Sequence, residues 1–211
     1  NRTSAVLYIV STPIGNLEDI TLRAMRILKE VDLIAAEDTR HTRQLLTYYD
    51  IHTPITSYFD GNQDYKGNQI ISRLRNGESI AVVSEAGTPT ISDPGHRLVV
   101  QCIAANIPVT PIPGVTACIA TASISGFPLH KFVFEGFLSP KTGRRRRRLT
   151  ELIEEKRTLI FYESPHRLLA FLNDTMDILD NRQIVIAREL TKKFEEIFRG
   201  TTSKAVEKFQ S

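Results

Sequence analysis

Tryptophan is absent from this 211-residue chain, and cysteine, like methionine, occurs only twice, at Cys102 and Cys118. Both cysteines sit in apolar helical patterns, which reads as buried, reduced thiols of a cytosolic protein and not as a disulfide or a metal pair. No uninterrupted apolar run approaches the roughly 20 residues needed to span a bilayer, and nothing at the amino terminus resembles a signal peptide. The expectation is therefore a cytoplasmic chain with no membrane partner. Asn1 in the place of an initiator methionine reads as a trimmed chain. The five histidines (His41, His52, His96, His130, His166) are scattered. With no His-x-x-x-His, Cys-x-x-Cys or Asp-x-Asp spacing in the loops, no metal is expected. No Gly-Lys-Ser/Thr closes a glycine loop, and neither Gly-x-Gly-x-x-Gly nor Gly-x-Ser-x-Gly occurs. P-loop, dinucleotide-binding and serine-hydrolase readings all lose their support.

What is present is regular. Hydrophobic and charged fractions of 41% and 24% are those of an ordinary globular enzyme, long enough for one large domain or two small ones. Strand signals fall at Leu7–Val10, Leu33–Ala36, Ile55–Tyr58, Ile80–Ser84, Val109–Ile112, Phe132–Glu135, Leu159–Tyr162 and Ile184–Arg188. Helical spacing fills the gaps: Leu22–Glu30, Thr42–Tyr49, Asp64–Asn76, Arg97–Ala105, Thr116–Ser125, Arg145–Lys156, Arg167–Leu179, and a start at Lys204. Such alternation predicts an α/β architecture with mostly parallel strands. Ser125-Gly126-Phe127-Pro128 interrupts the order, which places a domain boundary between residues 1–125 and 126–211. The second sheet is expected to be incomplete.

Three loops stand out. Ser84 to Gly95 (Ser-Glu-Ala-Gly-Thr-Pro-Thr-Ile-Ser-Asp-Pro-Gly) follows one strand, Ser11 to Leu17 (Ser-Thr-Pro-Ile-Gly-Asn-Leu) another, and Pro111 to Ala117 (Pro-Ile-Pro-Gly-Val-Thr-Ala) a third. Glycine lets backbone approach a ligand, and proline fixes the loop beforehand. In a parallel sheet such loops lie at the carboxyl ends of strands, where ligands bind. Taken singly each is an ordinary turn; together they suggest one ligand cradled by backbone.

Polar clusters end three further strands. Ala36-Glu37-Asp38-Thr39-Arg40-His41 reads equally as a polar site or as a helix start capped by Asp38 or Thr39. Tyr162-Glu163-Ser164-Pro165-His166-Arg167 offers a base, a titratable ring and a fixed cation, or else a helix capped by Ser164 with Pro165 in its first position. Ala187-Arg188-Glu189-Leu190-Thr191-Lys192-Lys193 is the last of the three. Five consecutive arginines, Arg144 to Arg148, follow Lys141 and open a helical pattern. They form either a solvated face or a phosphate-contacting patch.

In these segments the chain resembles the tetrapyrrole-methylase superfamily, the class III S-adenosylmethionine-dependent methyltransferases. The shared residues are Thr12 to Leu17, Ala35 to Arg40, Ala86 to Pro89 with Asp93-Pro94-Gly95, Phe134 to Phe137, Leu159 to Ser164 with His166-Arg167, and Ala187 to Lys192, in order along almost the whole chain. Glu85 stands where these relatives carry Asp, and Val115 where the RNA-modifying branch has a further Pro. The family's last strand and small carboxyl-terminal segment have no counterpart. The resemblance implies two α/β domains, a homodimer and a methyl donor, S-adenosylmethionine, folded in the cleft between the domains. Carried over by motif, donor contacts fall to Pro13, Ile14, Gly15, Ser84, Ala86, Gly87, Thr88, Pro89, Thr116, Ala117, Phe137, Leu138 and Tyr162. Within the superfamily the resemblance implies methylation of the ribose 2′-hydroxyl of a cytidine in the decoding region of 16S rRNA. Glu163 would be the base, Arg167 and Lys192 electrostatic helpers and His166 a reserve, while Arg144, Arg145, Arg146, Arg147, Arg148, Arg40 and Arg43 would meet rRNA phosphates. The alternatives are a related enzyme acting on a tetrapyrrole or a modified amino acid, and an RNA-binding relative without catalysis.

Overall fold

The computed structural model describes residues 5–210, and its chain divides into two compact units, residues 1–116 and 117–211. The division falls at Thr116/Ala117, ahead of the break at Ser125-Gly126 that the sequence suggests. No helix among the described residues is long and apolar enough to cross a membrane.

The first unit alternates strands and helices: β1 (Leu7–Val10), α1 (Leu22–Glu30), β2 (Leu33–Ala36), α2 (Thr39–Tyr48), β3 (Ile55–Ser57), α3 (Gln63–Arg75), β4 (Ile80–Val83), α4 (His96–Ala104) and β5 (Val109–Ile112). The five strands form a parallel sheet in the order β3-β2-β4-β1-β5. Strand residues alternate between its faces. Ile34, Ala36, Ala81 and Val83 pack with Ala24, Ile27 and Leu28 of α1 and Leu45 and Leu46 of α2. Leu33, Ala35, Ile80 and Val82 pack with Ile70, Ile71 and Leu74 of α3 and Leu98 and Cys102 of α4. Burial on both faces explains why β2 and β4 read as unbroken apolar runs. The order also sets β4, β1 and β5 side by side, so the loops that leave them are neighbours at one edge.

The second unit contains α5 (Ala117–Ser123), β6 (Phe132–Phe137), α6 (Thr142–Glu151), β7 (Thr158–Tyr162), α7 (Leu168–Leu179), β8 (Gln183–Arg188), β9 (Glu196–Thr201) and α8 (Thr202–Gln210). β6 and β7 pair in parallel with a shift between Phe134 and Gly136, and β8 and β9 pair antiparallel. Leu138, Leu149, Phe171, Leu172, Leu179 and Ala205 form its core, with Phe161, Ile184, Ile186 and Phe198 packed against them. β9, unmarked in the sequence reading, makes this part of the fold antiparallel.

Candidate functional site

In the first unit the three strand-end loops are tied to one another by short polar links. Thr12 and Gly87 form an isolated antiparallel bridge, each N–H donating to the other's carbonyl at 2.9 Å. The hydroxyls of Ser11 and Thr88 lie 2.8 Å apart, and those of Thr88 and Thr116 2.6 Å apart. A Cβ on Gly114 would meet Ser11 Cβ at 2.7 Å, so only glycine admits this approach of the β5 loop to the β1 loop. Gly87 has φ +81°, the left-handed region that glycine enters without strain. Non-glycine residues follow it there, Thr90 at φ 74° and Ser92 at φ 59°. Left-handed backbone of this kind persists where surrounding structure over-determines it and collects at binding sites.

The polar groups at this edge are distinctive. Thr12 Oγ1 is buried without a hydrogen-bond partner among the described residues. Burial raises the Asp93 carboxyl to about 6, reinforced by the nearby charges of Glu37 and Glu85 and opposed by a hydrogen bond from Ser84. Glu85 donates its backbone N–H to Glu37 Oε2 at 3.0 Å, and its own side chain is exposed. Asp38 caps α2, accepting from Arg40 N–H at 2.8 Å and His41 N–H at 3.1 Å, which hold its carboxyl below the usual carboxylate range. Of the two readings of the Glu-Asp-Thr-Arg segment, the structure thus realises the cap. Ser11, Thr12 and Asp93 belong to segments marked in the sequence, which assigned them no individual role. Their signal was present only as polar residues inside loops already marked by glycine and proline.

In the second unit Tyr162 ends β7, and its hydroxyl accepts the Cys118 N–H at 3.0 Å, near the start of α5. Phe134 and Phe137 pack against its ring at 5.0 and 5.4 Å. Leu138 is buried in the core of the unit. Glu163 and Arg167 are brought together: Glu163 Oε1 accepts from Ser164 N–H at 2.7 Å and pairs with Arg167 Nε at 3.0 Å. The Glu163 side chain is only 7% exposed. Its Oε2 makes no hydrogen bond among the described residues. Ser164 does not cap the following turn; its hydroxyl accepts from Arg167 Nε at 3.1 Å. Lys192 pairs with Glu189 at 3.1 Å, and no hydrogen bond or ion pair joins it to Glu163 or Arg167.

The family model of the tetrapyrrole (corrin/porphyrin) methylases matches residues 6–206. The chain belongs to this family. It is 52% identical to ribosomal RNA small subunit methyltransferase I of Synechocystis over 205 residues, 97% of this chain and 74% of the relative. To the protein of the same name from Thermotoga maritima it is 48% identical, covering 97% of this chain and 91% of the relative. Among solved structures, a cobalt precorrin-4 methyltransferase of cobalamin biosynthesis superposes with TM-score 0.73 at 16% identity, over 100% of this chain and 91% of that one. A uroporphyrin-III C-methyltransferase from Thermus thermophilus gives 0.67 at 18% identity, over 95% of this chain and 86% of that one. At such identities these structures show the shared fold.

In this chain the arginine run is not one patch, and the burial of Arg145 corrects the expectation that it meets phosphate. Five consecutive residues on a helix point in five directions. Arg145 is buried, its guanidinium 2.7 Å (Nε) and 2.6 Å (Nη2) from Asp174 Oδ2, with Nη1 donating to the Pro140 carbonyl at 3.3 Å. Arg146 reaches Asp174 Oδ1 at 2.7 Å and Asp177 at 3.0 Å. Arg148 grips Glu135 through two bonds of 2.8 and 2.7 Å and Glu151 through another of 2.7 Å. Glu135 sits where the β6–β7 register shifts, and such irregularities re-aim a side chain. Arg147 is 85% exposed, with Glu151 at a loose 3.6 Å, and Arg144 is exposed as well. Arg145 is therefore a core residue, while Arg144 and Arg147 keep their charges toward solvent.

Proposed function

We propose that this chain transfers a methyl group from S-adenosylmethionine to small-subunit ribosomal RNA, at the 2′-hydroxyl of a cytidine in the decoding region of 16S rRNA. The observation that carries the reading is identity of about one residue in two, over nearly the whole chain, with ribosomal RNA small subunit methyltransferase I of several bacteria. A cytoplasmic location accompanies such a substrate, and a homodimer belongs to the same reading.

The loops of the first unit fit the donor. A buried hydroxyl without a partner, Thr12 Oγ1, lies among three loops that glycine brings into contact, and a ligand with hydrogen-bonding groups at both ends answers it. Pro13, Ile14, Gly15, Ser84, Ala86, Gly87, Thr88, Pro89 and Thr116 are assigned to that role, and Ala117, the first residue of the second unit, on the family's pattern. Phe137, Leu138 and Tyr162 are assigned to it on the family's pattern. When bound, the donor supplies a methyl group on a sulfonium. Its transfer to the ribose oxygen would leave the sulfur neutral as a thioether, and the chain's residues would have to take up the hydroxyl proton.

Alignment is the chain's main contribution, since holding reactants at contact distance can remove about 7–11 kcal/mol of barrier. Preset loops suit that task. For the proton we assign Glu163: one carboxylate oxygen is anchored by Ser164 N–H and Arg167, and the other is open. Arg167 and Lys192 supply positive charge, with His166 in reserve. RNA phosphates fall to Arg144, Arg147 and Arg40, all of them exposed.

The deciding experiment is transfer of labelled methyl from S-adenosylmethionine to small ribosomal subunits that lack the modification, followed by nuclease mapping. Label on one ribose is the expected result. Label on no RNA, with the donor still bound by calorimetry, refutes the substrate and leaves the tetrapyrrole, amino-acid or non-catalytic readings. Glu163→Gln should abolish single-turnover transfer with donor affinity intact; unchanged transfer removes Glu163 as the base.

A further inference from the structure

Residues 189–195, which join β8 to β9, carry a side chain that the proposed reaction does not use. Phe194 is 74% exposed, the most exposed aromatic among the described residues. The turn that presents it is firmly built. Lys192 N–H donates to the Glu189 carbonyl at 3.0 Å, Glu195 N–H to the Lys192 carbonyl at 3.1 Å, and Thr191 N–H to the Glu195 carboxylate at 2.6 Å. Glu189 (φ 51°) and Thr191 (φ 68°) are both left-handed, an unfavourable state for a β-branched residue, and Thr191 Oγ1 is buried without a partner. Structure that tolerates these costs to hold an apolar ring in water has a use for the ring.

The charges around it indicate what use. Each carboxylate of the turn is engaged: Glu189 by Lys192, Glu195 by Thr191 N–H, and Glu196 by Arg188 at 2.6 Å and by Lys208. Lys193 makes no ion pair among the described residues, and its Nζ lies 5.5 Å from the centroid of the Phe194 ring. An aromatic face and an uncompensated ammonium side by side match the two parts of a nucleotide, a flat base and an anionic phosphate. An apolar protein surface would take the ring but leave the ammonium unanswered.

We propose that the β8–β9 turn is a stacking finger for single-stranded RNA, Phe194 lying on an unpaired base and Lys193 on the adjoining phosphate. This rests on the ribosomal RNA reading and extends it to a second contact, since unpaired bases are the part of RNA that aromatic side chains grip.

The chain has no tryptophan, so Phe194→Trp places a sole indole reporter on the turn. Titrated with a single-stranded oligonucleotide of 16S rRNA sequence, its emission should be quenched at saturation. Phe194→Ala should weaken that RNA by about 5- to 150-fold, the range for losing one stacked base. Phe194→Tyr should restore affinity, and Phe194→Leu, apolar but without a π-face, should not. RNA binding by the wild-type chain with the indole emission unmoved, or with Phe194→Leu as tight as wild type, overturns the finger alone. An indole blue shift that grows with protein concentration in the absence of RNA overturns it in favour of contact between copies. If the wild-type chain binds no RNA, the finger and the ribosomal RNA reading fall together.

Discussion

Removing the Asp174 carboxylate tests how the second unit holds its arginine helix. Asp174 is the common partner of Arg145 and Arg146, and the Arg145 side chain is 4% exposed against 9% for Asp174. Asp174→Ala leaves the Arg145 guanidinium buried with only the Pro140 carbonyl as acceptor. Breaking a buried pair by deleting one partner costs about 3–5 kcal/mol, because an uncompensated charge stays in the interior. Against a total stability of about 5–15 kcal/mol, that is a large share. With a urea slope of about 2–3 kcal/mol/M, the midpoint should fall by about 1–2 M. Hydrogen exchange followed by mass spectrometry should show the loss in peptides covering α6 and α7. Asp177→Ala is the control: its side chain is 60% exposed, and its ion pair among the described residues is with Arg146. Substituting Arg145→Met together with Asp174→Leu should recover most of the loss, as apolar replacements of buried pairs do. If Asp174→Ala costs no more than Asp177→Ala, Arg145 is not the buried, paired residue described here.

Three other outcomes follow from the same structure. Asp93, raised to about 6 by burial, binds its proton more tightly folded than unfolded, so its contribution to stability declines as pH rises from about 4 through 6; Asp93→Asn should therefore raise the denaturation midpoint at about pH 8 and leave it unchanged near pH 3. Gly87→Ala imposes a left-handed alanine with its Cβ 3.3 Å from Ile14 Cγ2, so thermal unfolding should show a loss of about 1–2 kcal/mol, with weakened S-adenosylmethionine binding by calorimetry. Replacing Arg144 and Arg147 together by Ala should lower the slope of log affinity for RNA against log salt by about 1–2 with stability unaltered, and an unchanged slope would mark both as merely solvated.

How far the sequence reached varies by element. β2 and β4 lie where apolar runs place them, because a strand buried on both faces needs a continuous run bounded by turn residues. β9 escaped notice: Glu196-Ile197-Phe198-Arg199 has only two apolar residues together, and its pairing with β8 is a tertiary fact. The three strand-end loops were legible because glycine and proline record backbone demands locally. The hydroxyl links between them were not, since a contact such as Ser11 to Thr88 spans the unit and leaves no local trace. The arginine run shows the converse failure. Its composition was conspicuous, but which arginine is buried depends on helical phase and on Asp174 and Asp177 one helix further on.

The row of hydroxyls from Ser11 through Thr88 to Thr116 carries one proton per oxygen, and Thr88 has three neighbours that can accept its single hydrogen: Ser11, Thr116 and the Val115 carbonyl. Its direction is thus a two-way polarity, not a fixed bond list. A ligand that took the Thr116 hydrogen would leave Thr116 only an acceptor toward Thr88, so Thr88 would donate across the 2.6 Å contact and Ser11 would donate to Thr88. The hydrogens of the row would then all run one way, from the β1 loop to the β5 loop.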